Sequence, residues 1–163
     1  MVSFNYSNDA SIAFARNASA MLGKSYWYLC DPLDIEITMP DKKYSISIPE
    51  GFLTDGASVP RIFWSICPKW DNSHHAVILH DYLCEYGIAH VDGVATVIDR
   101  SHANYLFLQA LKFDGLSKIK CSMMYAAVRL HANINGITSP KLNELKLKFE
   151  DEIRLNLKKE YYK

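Results

Sequence analysis

Between Tyr26 and Ile48 the chain alternates apolar and polar positions. Glu36 separates Ile35 from Ile37, and Ser45 and Ser47 separate Tyr44, Ile46 and Ile48. A period of two places one set of side chains on a core face and the other toward water. Met39-Pro40-Asp41-Lys42-Lys43 lies between the two runs and carries the proline and aspartate of a hairpin connection. Residues 26–49 therefore predict a small antiparallel sheet, entered through the aromatic segment Tyr26-Trp27-Tyr28. The preceding residues are small and polar and read as an N-terminal arm or a short helix.

Beyond Asn72 the period lengthens to that of a helix. Ser73 is a candidate cap and Gly87 a candidate stop for one helix. Asp99 opens a second, with Ala103, Leu106, Phe107, Ala110 and Leu111 on one face and Gly115 after its end. Ser117 opens a third, with Cys121, Met124, Tyr125 and Val128 on one face and Gly136 beyond. Ser139-Pro140 opens the last, whose stripe is Leu142, Leu145, Phe149, Ile153, Leu157 and Tyr161. That amounts to about six turns of amphipathic helix. The expected fold is α+β: an antiparallel sheet of about residues 26–50 packed on three to four helices, with a long C-terminal amphipathic helix. The expected organisation is an arm (1–25), a core domain (26–136) and the final helix (137–163).

Composition narrows the function classes. A chain of 163 residues fits one domain, and 18 basic residues balance 18 acidic ones. A net charge of zero gives no bulk attraction for nucleic acid, so no nucleic-acid partner is expected. No apolar run approaches the roughly 20 residues of a membrane span. The N-terminus lacks the basic start and apolar core of a signal peptide, which predicts a soluble protein made in a cytoplasm. Cys30, Cys67, Cys84 and Cys121 form no CxxC pair and read as reduced, buried thiols. There is no GxGxxG, P-loop, HExxH or GxSxG motif.

Two stretches carry residues that a plain core or loop does not need. In Gly51-Phe-Leu-Thr-Asp-Gly-Ala-Ser-Val-Pro-Arg61, Asp55-Gly56 signals a turn, Ser58 is a candidate helix cap, and Pro60 suits a first helical turn. A short helix over Arg61-Ile-Phe-Trp-Ser-Ile66 follows from that start. The second stretch places His80-Asp81 inside an otherwise apolar helix. Neighbouring helical residues point about 100° apart, so both can border one cavity without sharing a face. A charged aspartate there is costly unless paired, hydrogen-bonded or metal-bound. Asn104 on the next helix and Asp55 in the preceding turn are polar groups that could converge on it. The alternative is a purely structural network, in which Asp81 caps the Ser58-Val59-Pro60 turn or pairs with Arg61 or Arg129. His74-His75 lies at a helix start, where a solvated pair is normal, and His90, His102 and His131 have no partner spacing.

Taken in order, GFLTDGASVPRIFWSICP, AVILHDYL, RSHANYLFLQAL and MMYAAVRL resemble domain-of-unknown-function family number 1353, small proteins found widely in bacteriophages and prophages. The resemblance covers roughly residues 26–134. It implies that Thr54, Asp55, Ser58 and Pro60 act as a unit with His80 and Asp81, and that Arg129 ends a further motif. Where the family carries an aspartate this chain has Asn104, and where it carries a second tyrosine after His-Asp-Tyr-Leu this chain has Cys84. The His-Asp pair is similar locally to that of HD-domain hydrolases, where such residues hold a divalent metal that activates water. It is also similar to the pair in secreted phospholipases, where the histidine is a base toward water and the aspartate binds calcium.

These likenesses imply a hydrolase-like site with His80, Asp81 and Asp55 as catalytic residues and as ligands of one divalent metal ion. Thr54, Ser58, Asn104 and Arg129 would contact substrate or position the others. The rival expectation is a non-enzymatic virion or tail-associated protein, docking to other phage proteins or to itself through its last helix. A third is an inhibitor of a host enzyme. Each implies residence in a host cytoplasm or a virion.

Overall fold

The computed structural model describes residues 1–56 and 73–161. The expectations for Ser58, Pro60 and Arg61, and for the short helix after them, fall outside the described residues.

The chain folds as α+β, with a five-stranded and a three-stranded antiparallel sheet and five helices among the described residues. The large sheet is built from β1 (Ser3–Tyr6), β4 (Leu33–Thr38), β5 (Lys43–Ile48), β7 (Ile88–Val91) and β8 (Val94–Val97), in that spatial order. The small sheet orders β2 (Ile12–Phe14), β3 (Trp27–Leu29) and β6 (Leu53–Thr54). The helices are α1 (Arg16–Leu22), α2 (His74–Glu85), α3 (Arg100–Phe113), α4 (Lys118–Ile134) and α5 (Glu144–Tyr161).

The β4–β5 hairpin follows from the alternation. Leu33, Ile35 and Ile37 pair with Ile48, Ile46 and Tyr44, and all six point into the core. The intervening Asp34, Glu36, Ser45 and Ser47 face water. Burying each Leu or Ile in this layer contributes about 1.5–3 kcal/mol. Ala76, Ile78, Leu79 and Leu83 of α2 and Leu106, Ala110 and Leu111 of α3 complete the same core. α2 is buried on most of its circumference, which makes it the central helix and makes its polar residues expensive.

Three features differ from the pattern read along the chain. Residues 88–97, between the helix stop at Gly87 and the cap at Asp99 and given no strand from sequence, form the β7–β8 hairpin, with Val91 paired to Val94 across Asp92-Gly93. Both turn residues have positive φ, 51° and 83°, as a two-residue hairpin loop needs. The residues expected as an arm or a short helix supply the short helix α1 but also β1 and β2; Phe4 enters the main core, and Ala15 and Ala18 pack with Tyr26 and Leu53 in a second cluster.

Lastly, α5 begins at Glu144 rather than at Ser139-Pro140, because the Asn143 side chain accepts the N–H groups of Leu145 and Lys146 at 3.1 and 3.2 Å. The segment before it is a strap. Arg100 N–H donates to Thr138 O at 3.2 Å, and Lys141 N–H donates to Cys84 O at 3.2 Å. Pro140 lies so close to Gly87 that a Cβ there would sit 2.0 Å from Pro140 Cγ. The strap therefore crosses the end of α2 and the start of α3. None of the described helices is long and apolar enough to cross a membrane.

Candidate functional site

α2, α3 and α4, together with the strap and the end of β6, enclose a cavity of about 250 Å³. Asp55, His80 and Asp81 all line it, beside Lys24, Cys84, Glu85, Arg100, His131, Lys141 and Lys146. Val77, Phe107, Met124 and Val128 supply apolar wall.

His80 is buried between α2 and α3, with its ring centroid 4.7 Å from that of Phe107. Its Nε2 lies 2.8 Å from Asn104 Oδ1. A carbonyl oxygen only accepts, so Nε2 carries the ring proton and Nδ1 keeps its lone pair. Cys84, one turn further along α2, places Sγ 3.4 Å from Nε2 and 3.8 Å from Nδ1. Burial pushes the imidazole down to about 4, reinforced by the positive charges of Arg100 and His131 and opposed by the bond to Asn104. His80 is therefore neutral at physiological pH.

Asp81 is biased the other way. Burial and the negative charge of Asp55 push its carboxyl well above the usual carboxylate range, against a hydrogen bond from Thr54 Oγ1 to Asp81 Oδ2 at 2.5 Å. The accessible surface Asp81 retains belongs to a residue on the cavity wall. Thr54 is fully buried at the end of β6, where its oxygen also accepts Gly56 N–H at 3.2 Å and so fixes the turn that carries Asp55. Asp55 is itself ion-paired with Lys24. Burial raises the Cys84 thiol to about 12, so sulfur is protonated at neutral pH.

A second charged group lies beside this pair. Lys146 of α5 is buried against Glu85 of α2, with Glu150 Oε1 3.6 Å away. Glu150 accepts Leu53 N–H at 2.9 Å and the Tyr86 hydroxyl at 2.5 Å. The Lys146 ammonium sits 4.6 Å from the Phe52 ring centroid. α5 thus joins the domain through a buried ionic layer, with Phe149 and Ile153 packed on the second cluster.

Of the residues singled out from sequence, the fold brings Thr54, Asp55, His80, Asp81 and Asn104 together. Arg129 is not among them; it is exposed on α4, with its guanidinium 5.5 Å from the Tyr125 ring centroid. Lys24, Arg100 and Lys146 were not visible as site residues, because single basic residues in polar surroundings carry no spacing signal. His131 likewise has no partner at a spacing that marks a site. Among the described residues no group of three or more His, Cys, Asp or Glu side chains forms a set that could hold a metal ion.

The family described as "Protein of unknown function (DUF1353)" matches residues 27–128, more than half of the chain. The chain belongs to that family. Every one of the five converging residues lies inside the matched region. The chain is also 29% identical over 103 residues to the uncharacterized protein y4jT of Sinorhizobium fredii (strain NBRC 101917 / NGR234). That alignment covers 62% of this chain and 28% of the relative, so the chain spans less than a third of the relative's length. No solved structure matches it.

Proposed function

We propose that this DUF1353 protein is an enzyme that performs acid–base chemistry, most simply hydrolysis, on a small polar substrate held in the cavity. One observation carries the reading: adjacent His80 and Asp81 line a single cavity, the first bonded to Asn104 and the second to Thr54, in surroundings that lower the proton affinity of the imidazole and raise that of the carboxyl. Environments that drive two neighbouring groups apart in this way assign a base and an acid.

In hydrolysis, neutral His80 takes a proton from water through Nδ1 as the water oxygen attacks. Protonated Asp81 gives its proton to the departing oxygen or nitrogen. The proton on His80 then returns to Asp81 through solvent, and the site is restored. Asn104 holds the ring tautomer, and Thr54 orients the Asp81 carboxyl. The chemistry uses no thiolate, in keeping with the raised Cys84.

A lowered imidazole and a raised carboxyl keep both protonation states together above about pH 4 and up to the raised Asp81 value, which predicts a flat-topped, bell-shaped kcat/KM profile. The direct test is NMR titration of the His80 ring and the Asp81 carboxyl, followed by turnover of nitrophenyl esters, phosphomonoesters and phosphodiesters by wild type, His80→Gln and Asp81→Asn. Ionisation of His80 near 6.5 and of Asp81 near 4, the ordinary values, would remove the basis of the proposal.

A further inference from the structure

Three basic side chains, two of them permanently charged, reach the cavity from three different parts of the fold. Arg100 is the first residue of α3, His131 lies in the last turn of α4, and Lys141 is on the strap. The other two lysines on the wall are already paired, Lys24 with Asp55 and Lys146 with Glu85. Asp81 is engaged by the Thr54 hydroxyl. Among the described residues Arg100 and Lys141 have no acidic partner.

Arg100 is the discriminating member. It is half-buried, its guanidinium reaches the Cys84 thiol, and its Nε is enclosed without a hydrogen-bond partner. A guanidinium N–H shut away from water and left unpaired is unfavourable unless a ligand supplies the acceptor. Guanidinium N–H groups form a planar fork whose spacing matches the oxygens of a phosphate or carboxylate. Lys141 and His131 are exposed at the rim, where the lysine adds positive charge and the imidazole a hydrogen-bonding nitrogen without a burial cost. Phe107, Met124 and Val128 line the same cavity and suit the less polar part of a small molecule.

We propose that Arg100, His131 and Lys141 form an oxyanion subsite of this cavity, which takes a phosphoryl or carboxylate group of the ligand. As a statement of substrate class it rests on the acid–base reading above; as a binding site it is measured independently of that reading.

The test is calorimetric titration of the full-length protein at pH 7 and constant ionic strength. Inorganic phosphate and malonate are the two probes, and sodium chloride is the control. Saturable binding of one equivalent is expected for at least one probe, and which one binds separates the phosphoryl from the carboxylate source. Arg100→Gln should weaken binding by about tenfold or more, the loss expected for a hydrogen bond to a charged group. Lys141→Gln should weaken it by a smaller factor and, being exposed, without disturbing the fold. No saturable heat with either probe, or unchanged affinity in both variants, overturns the subsite. His80→Gln separates the two proposals. Should His80 and Asp81 titrate normally while phosphate or malonate binding survives His80→Gln and falls in Arg100→Gln, the subsite stands and the acid–base reading fails.

Discussion

Replacing Lys146 by methionine should damage this protein more than any surface lysine would. Lys146 is buried, its ammonium is bonded to the buried Glu85, and Glu150 Oε1 is 3.6 Å away. Methionine fills similar space but removes the positive charge from between two carboxyl groups. Breaking a buried pair by deleting one partner costs about 3–5 kcal/mol, because the other charge stays desolvated. In a domain of this size that corresponds to a fall in Tm of about 10 °C.

The loss has a pH signature. Burial already raises the Glu85 carboxyl above its ordinary value, and Lys146 opposes that rise. Without Lys146 the folded-state pKa climbs further, while the unfolded value does not change. A carboxyl raised in the folded state binds more protons folded than unfolded, so stability falls as pH rises through that window. Lys146→Met should therefore be least damaging near the unfolded carboxyl value and most damaging at pH 7. Urea unfolding at pH 4.5 and pH 7 measures this. The double variant Lys146→Met, Glu85→Met should recover most of the loss at pH 7. A cost below about 1 kcal/mol at pH 7, the range of an exposed pair, would refute the buried-layer argument. A cost independent of pH would refute the role assigned to Glu85.

Three further outcomes are expected. Asn104→Asp puts a carboxylate against His80 Nε2 and should raise the imidazole from about 4 by a unit or more, read by NMR titration; an unmoved ring would mean that the contact is absent. Thr54→Val removes the hydroxyl that favours ionised Asp81, so the Asp81 carboxyl should titrate higher still, with about 1–2 kcal/mol lost in urea unfolding; a downward shift would contradict the bond. Gly87→Ala meets both a φ of 62° and the Pro140 ring, and should cost at least about 2 kcal/mol by displacing the strap; a neutral effect on Tm would show that the strap is free to move.

The β4–β5 hairpin was legible because its alternation is a local property, fixed by which face of a strand each residue occupies. The caps of α3 and α4 were legible for the same reason: Asp99 accepts His102 N–H and Ser117 accepts Lys120 N–H, each within one turn. The β7–β8 hairpin carries a local turn signal in Asp92-Gly93, but it lies between two strongly periodic helices and its strands are only four residues each. Its β8 positions are exposed throughout, so the strand has no buried face against which alternation would be needed.

Sequence by itself determined the strand and helix periods, the family segments, and the oddity of His80-Asp81 in an apolar helix, because each is written in neighbouring residues. Only the tertiary structure decided that Asn104 meets His80, that Thr54 meets Asp81, and that Arg129 stays outside. It also turned Lys146 and Glu150 inward on α5, although both read as the solvated face of an amphipathic helix. Partners drawn from distant parts of the chain changed the environment of these residues. Burial and neighbouring charge then set the proton affinities on which the proposed chemistry depends.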